Sequence, residues 1–122
     1  MNDRAPEEAF PQEILAFLDA NIESVEQLEI LRLLSINRGR SWSVAALARQ
    51  VQTSPRLMAG HLATLEARGL LTVRKQGAPV YLFGSSTPES ARMLNDLLQC
   101  YNERPVSMIK QIYSRPPPAS GQ

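Results

Sequence analysis

The chain has one cysteine, one histidine and one tryptophan in 122 residues, and aromatic side chains make up only 6% of it. A single cysteine, Cys100, excludes a disulfide within the chain and makes the reducing cytosol the simplest compartment. His61 and Cys100 are each alone of their kind, so a metal site has no ligand set to draw on, and neither a metal nor a cofactor is expected. The sequence has no glycine-rich phosphate loop, no nucleophile elbow and no paired carboxylates in an apolar setting, so catalysis is not expected either. No apolar run is long enough to cross a bilayer, so no membrane partner is expected. The N-terminal MNDRAPEEAF has no apolar stretch of the secretory kind, which again fits a cytoplasmic protein.

Excess charge of either sign is also missing overall, since the formal net charge is +1. The charges are nonetheless segregated. Residues 1–35 carry two basic side chains against eight acidic ones. Residues 36–80 reverse this, with Arg38, Arg40, Arg49, Arg56, Arg68, Arg74 and Lys75 against Glu66 alone. Residues 81–122 are close to balanced. A basic middle between an acidic front and a neutral back predicts one electropositive face, which would attract phosphate through counterion release.

The two ends, residues 1–11 and 115–122 (RPPPASGQ), are proline-rich or weakly patterned and read as disordered tails. Between them, 12–114 reads as a single domain. QEILAFLDAN (12–21) has a short helical pattern. Ser24 with Gln27 makes a capping box for a helix over about 25–36, with Val25, Leu28, Leu31, Leu33, Leu34 and Ile36 as its apolar set. Ser43 caps a short alanine-rich helix, 44–51, with Val44, Leu47, Ala48 and Val51 turned inward. Gln52-Thr53 is a tight connection. Ser54-Pro55, an N-cap followed by proline at the first helical position, opens a helix over 55–68 that turns Met58, Leu62 and Leu65 inward.

At Leu70 the period changes from helical to extended. LLTVRK (70–75) and PVYLF (79–83) are joined through Gln76-Gly77-Ala78, a hairpin signal. Thr87-Pro88 opens a last helical region whose apolar stripe runs through Ala91, Leu94, Leu97, Leu98 and Tyr101. Pro105 breaks or kinks it, and Val106, Ile109, Ile112 and Tyr113 continue the stripe. The fold class is therefore mainly α with a small β-hairpin.

This order, and in particular Leu47-Ala48, Ser54-Pro55, Leu62, and Leu65-Glu66-Ala67-Arg68-Gly69-Leu70-Leu71, resembles the winged helix-turn-helix proteins of the MarR-like and ArsR-like bacterial transcriptional regulators. The resemblance covers about residues 24–84. It implies double-stranded DNA as partner, with 55–68 as recognition helix in the major groove and 70–83 as the wing on the backbone or minor groove. It implies extra N- and C-terminal helices that form a homodimer, setting two recognition helices about 34 Å apart. The alternative is that those helices wrap their own domain. The sensor pocket and metal ligands of the resembled families have no recognisable counterpart here.

Geometry of the 55–68 helix supports the same reading independently. At about 100° per residue, Met58, Leu62 and Leu65 share one quadrant, while Arg56, Gly60, Ala63 and Ala67 lie opposite, with Ala59 and Thr64 at the edges. That outer face is slim and has no acid at its centre, as a groove-entering helix requires. The candidate DNA-binding residues are Arg38, Arg40 and Ser41 before the 44–51 helix, then Ser54, Arg56, Ala59, Gly60, Ala63 and Thr64 on the recognition helix. Arg74 and Lys75 on the wing complete the set.

Each candidate has a structural alternative: helix-forming alanines, a solvated hairpin tip, ordinary surface arginines. His61 is expected half-buried beside Leu57, Trp42 as a core plug between the first helix and the wing, and Cys100 as a structural thiol. Arg49 and Arg68 are expected to be surface charges. Arg56 is the only long hydrogen-bonding side chain on the outer face. Affinity should therefore come mainly from phosphates, and specificity in part from DNA shape. That sparse face also leaves open a second function, a winged-helix module that docks a protein partner without binding DNA.

Overall fold

The structure, a computed structural model, describes residues 10–115. Of the expected tails 1–11 and 115–122, residues 1–9 and 116–122 lie outside the described residues, while Arg115 is half-buried and reaches the Leu18 carbonyl and Asp19 at 3.5 Å. The elements are α1 (Gln12–Asn21), α2 (Val25–Ile36), α3 (Val44–Val51), α4 (Pro55–Ala67), β1 (Leu71–Arg74), β2 (Val80–Phe83), α5 (Pro88–Glu103) and α6 (Pro105–Tyr113).

Hydroxyl caps set most helix starts. Ser24, Ser43, Ser54 and Thr87 each accept a backbone N–H from three residues on, satisfying one of the orphan donors of the first turn. Gln27 completes its box one residue earlier than expected. Its side-chain oxygen accepts the N–H of Glu23 at 2.8 Å, not that of Ser24. Prolines at the first positions of α4, α5 and α6 cost no hydrogen bond there. Pro105 thus ends one helix and begins another, as its missing N–H and its ring require.

The helix-turn-helix unit is α3, a left-handed turn at Gln52 (φ 64°), and α4. Thr53 N–H closes that turn on the carbonyl of Ala48 at 3.0 Å. The other end of α4 is a Schellman stop. Leu70 N–H reaches the carbonyl of Leu65 and Gly69 N–H that of Glu66, while Gly69 takes φ +72°. A side chain at Gly69 would also collide with Ser86, whose N–H donates to the Gly69 carbonyl at 2.8 Å. The two ends of the wing are pinned together there. Arg68, placed inside the helix by the sequence pattern, is its C-cap.

In the wing, Leu71 pairs with Phe83, Thr72 with Leu82, Val73 with Tyr81 and Arg74 with Val80. The strands are shorter than 70–75 and 79–83. Leu70 belongs to the helix stop, and Pro79, with no N–H, cannot donate to the ladder. Trp42 adds a two-bond bridge on the free edge of β2, its N–H donating to Tyr81 at 2.9 Å and its carbonyl accepting at 2.8 Å. Trp42 is buried, as a plug should be.

One core runs through the molecule. Leu28, Leu31 and Leu34 of α2 meet Leu47 of α3 and Met58, Leu62 and Leu65 of α4, all buried as expected. Two positions on α2 differ. Ile30 is fully buried, whereas Ile36 is 61% exposed, because it lies about 140° around the helix from Leu31. Ile14, Leu18 and Ile22 join Leu94, Leu97, Leu98, Tyr101, Met108 and Ile112 in the same core. The terminal stripes are therefore largely covered within one chain.

Phe10 is a correction to the sequence reading. Assigned to the tail, it is 7% exposed, packed into this core, and its ring is covered by the Arg104 guanidinium at 4.3 Å. A lone aromatic beside a proline carries no periodic signal, so only its tertiary neighbours reveal it. No helix among the described residues is long and apolar enough to cross a membrane.

Candidate nucleic-acid interface

The outer side of α4 is open. Ser54, Arg56, Ala59, Gly60 and Ala63 are exposed and Thr64 is half-buried, while Met58, Leu62 and Leu65 on the opposite side are fully buried. Nothing crowds Gly60, where an added methyl group would meet no atom. Arg56 makes no side-chain hydrogen bond or ion pair among the described residues, nor do Arg49 of α3 and Arg74 of β1. The Ser54 hydroxyl, by contrast, is engaged as the cap, accepting the Leu57 N–H at 3.1 Å.

The wing stands beside this helix. Lys75 Nζ lies 3.9 Å from a carboxylate oxygen of Glu66, on the shoulder of α4. Both side chains are well exposed, so the pair contributes little to stability and only marks how near the wing comes to α4.

Arg40 and Arg38 occupy the other edge of the hairpin. Arg40 lies over the Trp42 ring, 3.7 Å from its centroid, and the Trp42 backbone is bonded to β2. Stacking holds the guanidinium flat and leaves its N–H edges free, a preorganised phosphate donor. Arg38 lies over Phe83 at 4.5 Å and donates to Asn95 of α5 at 2.9 Å. It would have to release Asn95 to reach a phosphate. Ser41 is exposed beside Arg40. The structure thus brings Lys75 to the shoulder of α4, and sets Arg38, Arg40 and Ser41 by the far edge of the hairpin.

Arg68 is not a loose surface charge. It donates to the Asn21 carbonyl at 2.6 Å and to Glu23 at 2.8 Å, tying the end of α4 to the α1–α2 link. His61 is half-buried as expected, with Nδ1 3.4 Å from the Gln27 amide. Leu57, expected to pack beside it, is instead 61% exposed.

Two clefts lie away from this face. One, of about 200 Å³, is lined by Glu29, Arg32, Tyr101, Asn102 and Pro105. Inside it Tyr101 donates to Glu29, and burial followed by that bond pushes the phenol pKa up. The other, of about 240 Å³, lies between α1 and α5 and includes Cys100. Burial, then Glu103 and Asp96, raise the Cys100 pKa, which disfavours the reactive thiolate.

These elements, helix-turn-helix followed by a two-stranded wing, define a winged helix-turn-helix protein. Solved structures bear this out. NolR from Sinorhizobium fredii is 28% identical over 83% of this chain and 97% of its own, with a TM-score of 0.52. Reduced HlyU from Vibrio cholerae is 26% identical over 73% of this chain and 90% of its own, with a TM-score of 0.54. A homodimeric winged helix-turn-helix DNA-binding domain from Mycobacterium bovis, described as a possible ArsR-family transcriptional regulator, is 20% identical. It covers 85% of this chain and 90% of its own, with a TM-score of 0.56. No protein-family model and no curated protein matches the sequence.

Proposed function

We propose that the chain is a DNA-binding transcriptional regulator acting as a homodimer, with α4 in the major groove and the β1–β2 wing on the backbone or minor groove. The observation that carries this is the free face of α4. It has an unpaired Arg56 at its N-terminal end, small residues along its middle and a wing bearing Arg74 and Lys75 at its side. The M. bovis neighbour, a DNA-binding domain with the same fold, supports it. Arg40, Arg56, Arg74 and Lys75 are the phosphate and base contacts of this reading. Ser41, Ser54, Ala59, Gly60, Ala63 and Thr64 form the close-approach surface, and Arg38 joins them if it exchanges Asn95 for a phosphate. The reading places the chain in the cytoplasm, and not among enzymes.

Fluorescence anisotropy with a labelled duplex tests it. Four such cations per protomer give a dimer about eight phosphate contacts. Affinity should then fall at least about a thousand-fold between roughly 50 and 200 mM salt. No binding at low salt by a folded sample would remove the reading and leave the protein-docking alternative. The exposed Leu57 and the single long hydrogen-bonding side chain on the outer face of α4 favour that alternative.

The terminal helices supply the dimer surface in this proposal. Most of their apolar stripe is used inside the chain, but Val106 (64% exposed), the half-covered Ile109 and Tyr113 (76% exposed) form a strip along α6 at spacings of three and four. Sedimentation equilibrium should give twice the 13.6 kDa of one chain. A Val106→Glu/Tyr113→Glu variant should return to one, since two like charges from each protomer would be buried without partners. A wild type that sediments as a monomer at micromolar concentration would remove the dimer.

A further inference from the structure

We infer that Leu57 is a specificity residue that reads the 5-methyl group of thymine in the major groove. The inference rests on the DNA-binding reading of α4 and goes beyond it by assigning a base preference to a residue outside the phosphate-contacting set. Leu57 is the one large apolar side chain of α4 left in water. It is 61% exposed, whereas Met58, Leu62 and Leu65 are fully buried. Its place is fixed, because its N–H is held by the Ser54 cap at 3.1 Å.

It sits in the first turn, next to the unpaired Arg56, on the part of a recognition helix whose residues meet base edges. Around the helix it lies about 20° from Thr64 and about 60° from Gly60, on the flank of the open face. Its neighbour on that face, Gly60, has no side chain, and nothing fills the space above it. The leucine side chain therefore stands clear of the helix surface on the flank of the open face. Among the groups on the major-groove floor, the thymine methyl is the apolar one. Set against a guanine or cytosine edge, the same side chain would cover polar groups without a partner, which is costly. Leu57 thus favours a T·A pair near the Arg56 contact in each half-site.

The test uses the full chain. High-affinity duplexes are selected from a random pool with the wild type, and each thymine is then replaced in turn by deoxyuridine, which removes only the methyl group. Binding should weaken roughly fourfold per lost contact at one position in each half-site, and Leu57→Ala should bind the thymine and deoxyuridine duplexes equally. Because Leu57 is exposed, Leu57→Ala should unfold at the wild-type temperature, which a melting curve verifies. Equal affinity of the wild type for both duplexes at every position overturns the assignment. So does a thymine preference that survives in Leu57→Ala. If no duplex can be selected, the DNA-binding reading falls, and this inference with it. Selected duplexes that ignore the methyl remove this inference alone.

Discussion

Reversing three charges, in an Arg56→Glu/Arg74→Glu/Lys75→Glu variant, is expected to abolish duplex binding at every salt concentration while leaving the fold intact. The two halves of that outcome have separate causes. Binding depends on cations placed against phosphate, and each reversal replaces a released counterion with a repulsion. Stability does not depend on them. All three side chains are exposed, and Arg56 and Arg74 have no partner among the described residues. The one ion pair lost, Lys75 with Glu66 at 3.9 Å, is of the exposed kind that contributes little.

Arg56 even has the sign reversed in its favour. It sits in the first turn of α4, which has no acid, and a carboxylate at a helix N-terminus is favourable. The variant should therefore melt at or slightly above the wild-type temperature by circular dichroism. Retained salt-dependent binding in the folded variant would move the interface off α4 and the wing. Loss of binding together with the fold would mean that these residues are structural, contrary to their exposure.

Phe10→Ala should cost about 3 kcal/mol, the usual price for removing a buried phenylalanine side chain. Phe10 is packed against the core under the Arg104 guanidinium, so truncation leaves a cavity and removes that ring contact. For a domain of this size the midpoint of thermal unfolding should fall by roughly 10 °C. Because Phe10 is buried in the core and is not one of the proposed DNA-facing residues, duplex affinity of the folded fraction should be unchanged. A change below about 0.5 kcal/mol in denaturant unfolding would return Phe10 to the tail.

Much of the architecture was legible before any coordinates, because the signals are local. A hydroxyl three residues ahead of the N–H it caps, a proline at a first helical position and a change of apolar period from 3.6 to 2 each depend on a few neighbouring residues. Hence α1, α2 and α3 fall on their expected bounds, α4 and the strands differ by a residue, and Pro105 divides the last helical region. The inward set of α4 follows from spacing alone, as does the slim outer face opposite it.

What the sequence could not supply depends on which side chains from distant segments meet. Arg38, Arg40, Arg56, Arg68 and Arg74 are equivalent letters in a basic segment. Only the packed structure separates Arg68, bonded to Asn21 and Glu23, and Arg38, held by Asn95, from Arg56 and Arg74, which have no side-chain partner among the described residues. Phe10 was invisible because one aromatic has no period, and Leu57 because its flank position looks the same whether or not a neighbour covers it.

The apolar stripes over residues 12–20 and 88–113 read as a dimer surface, since a one-dimensional pattern shows that a face is apolar but not what covers it. Folding brings α1 against α5 in the same chain and leaves the strip on α6 outside. The elements and their order follow from contacts within a turn or two of chain. Which charges stay free and which apolar faces stay open depends on packing, because both are settled by partners tens of residues away.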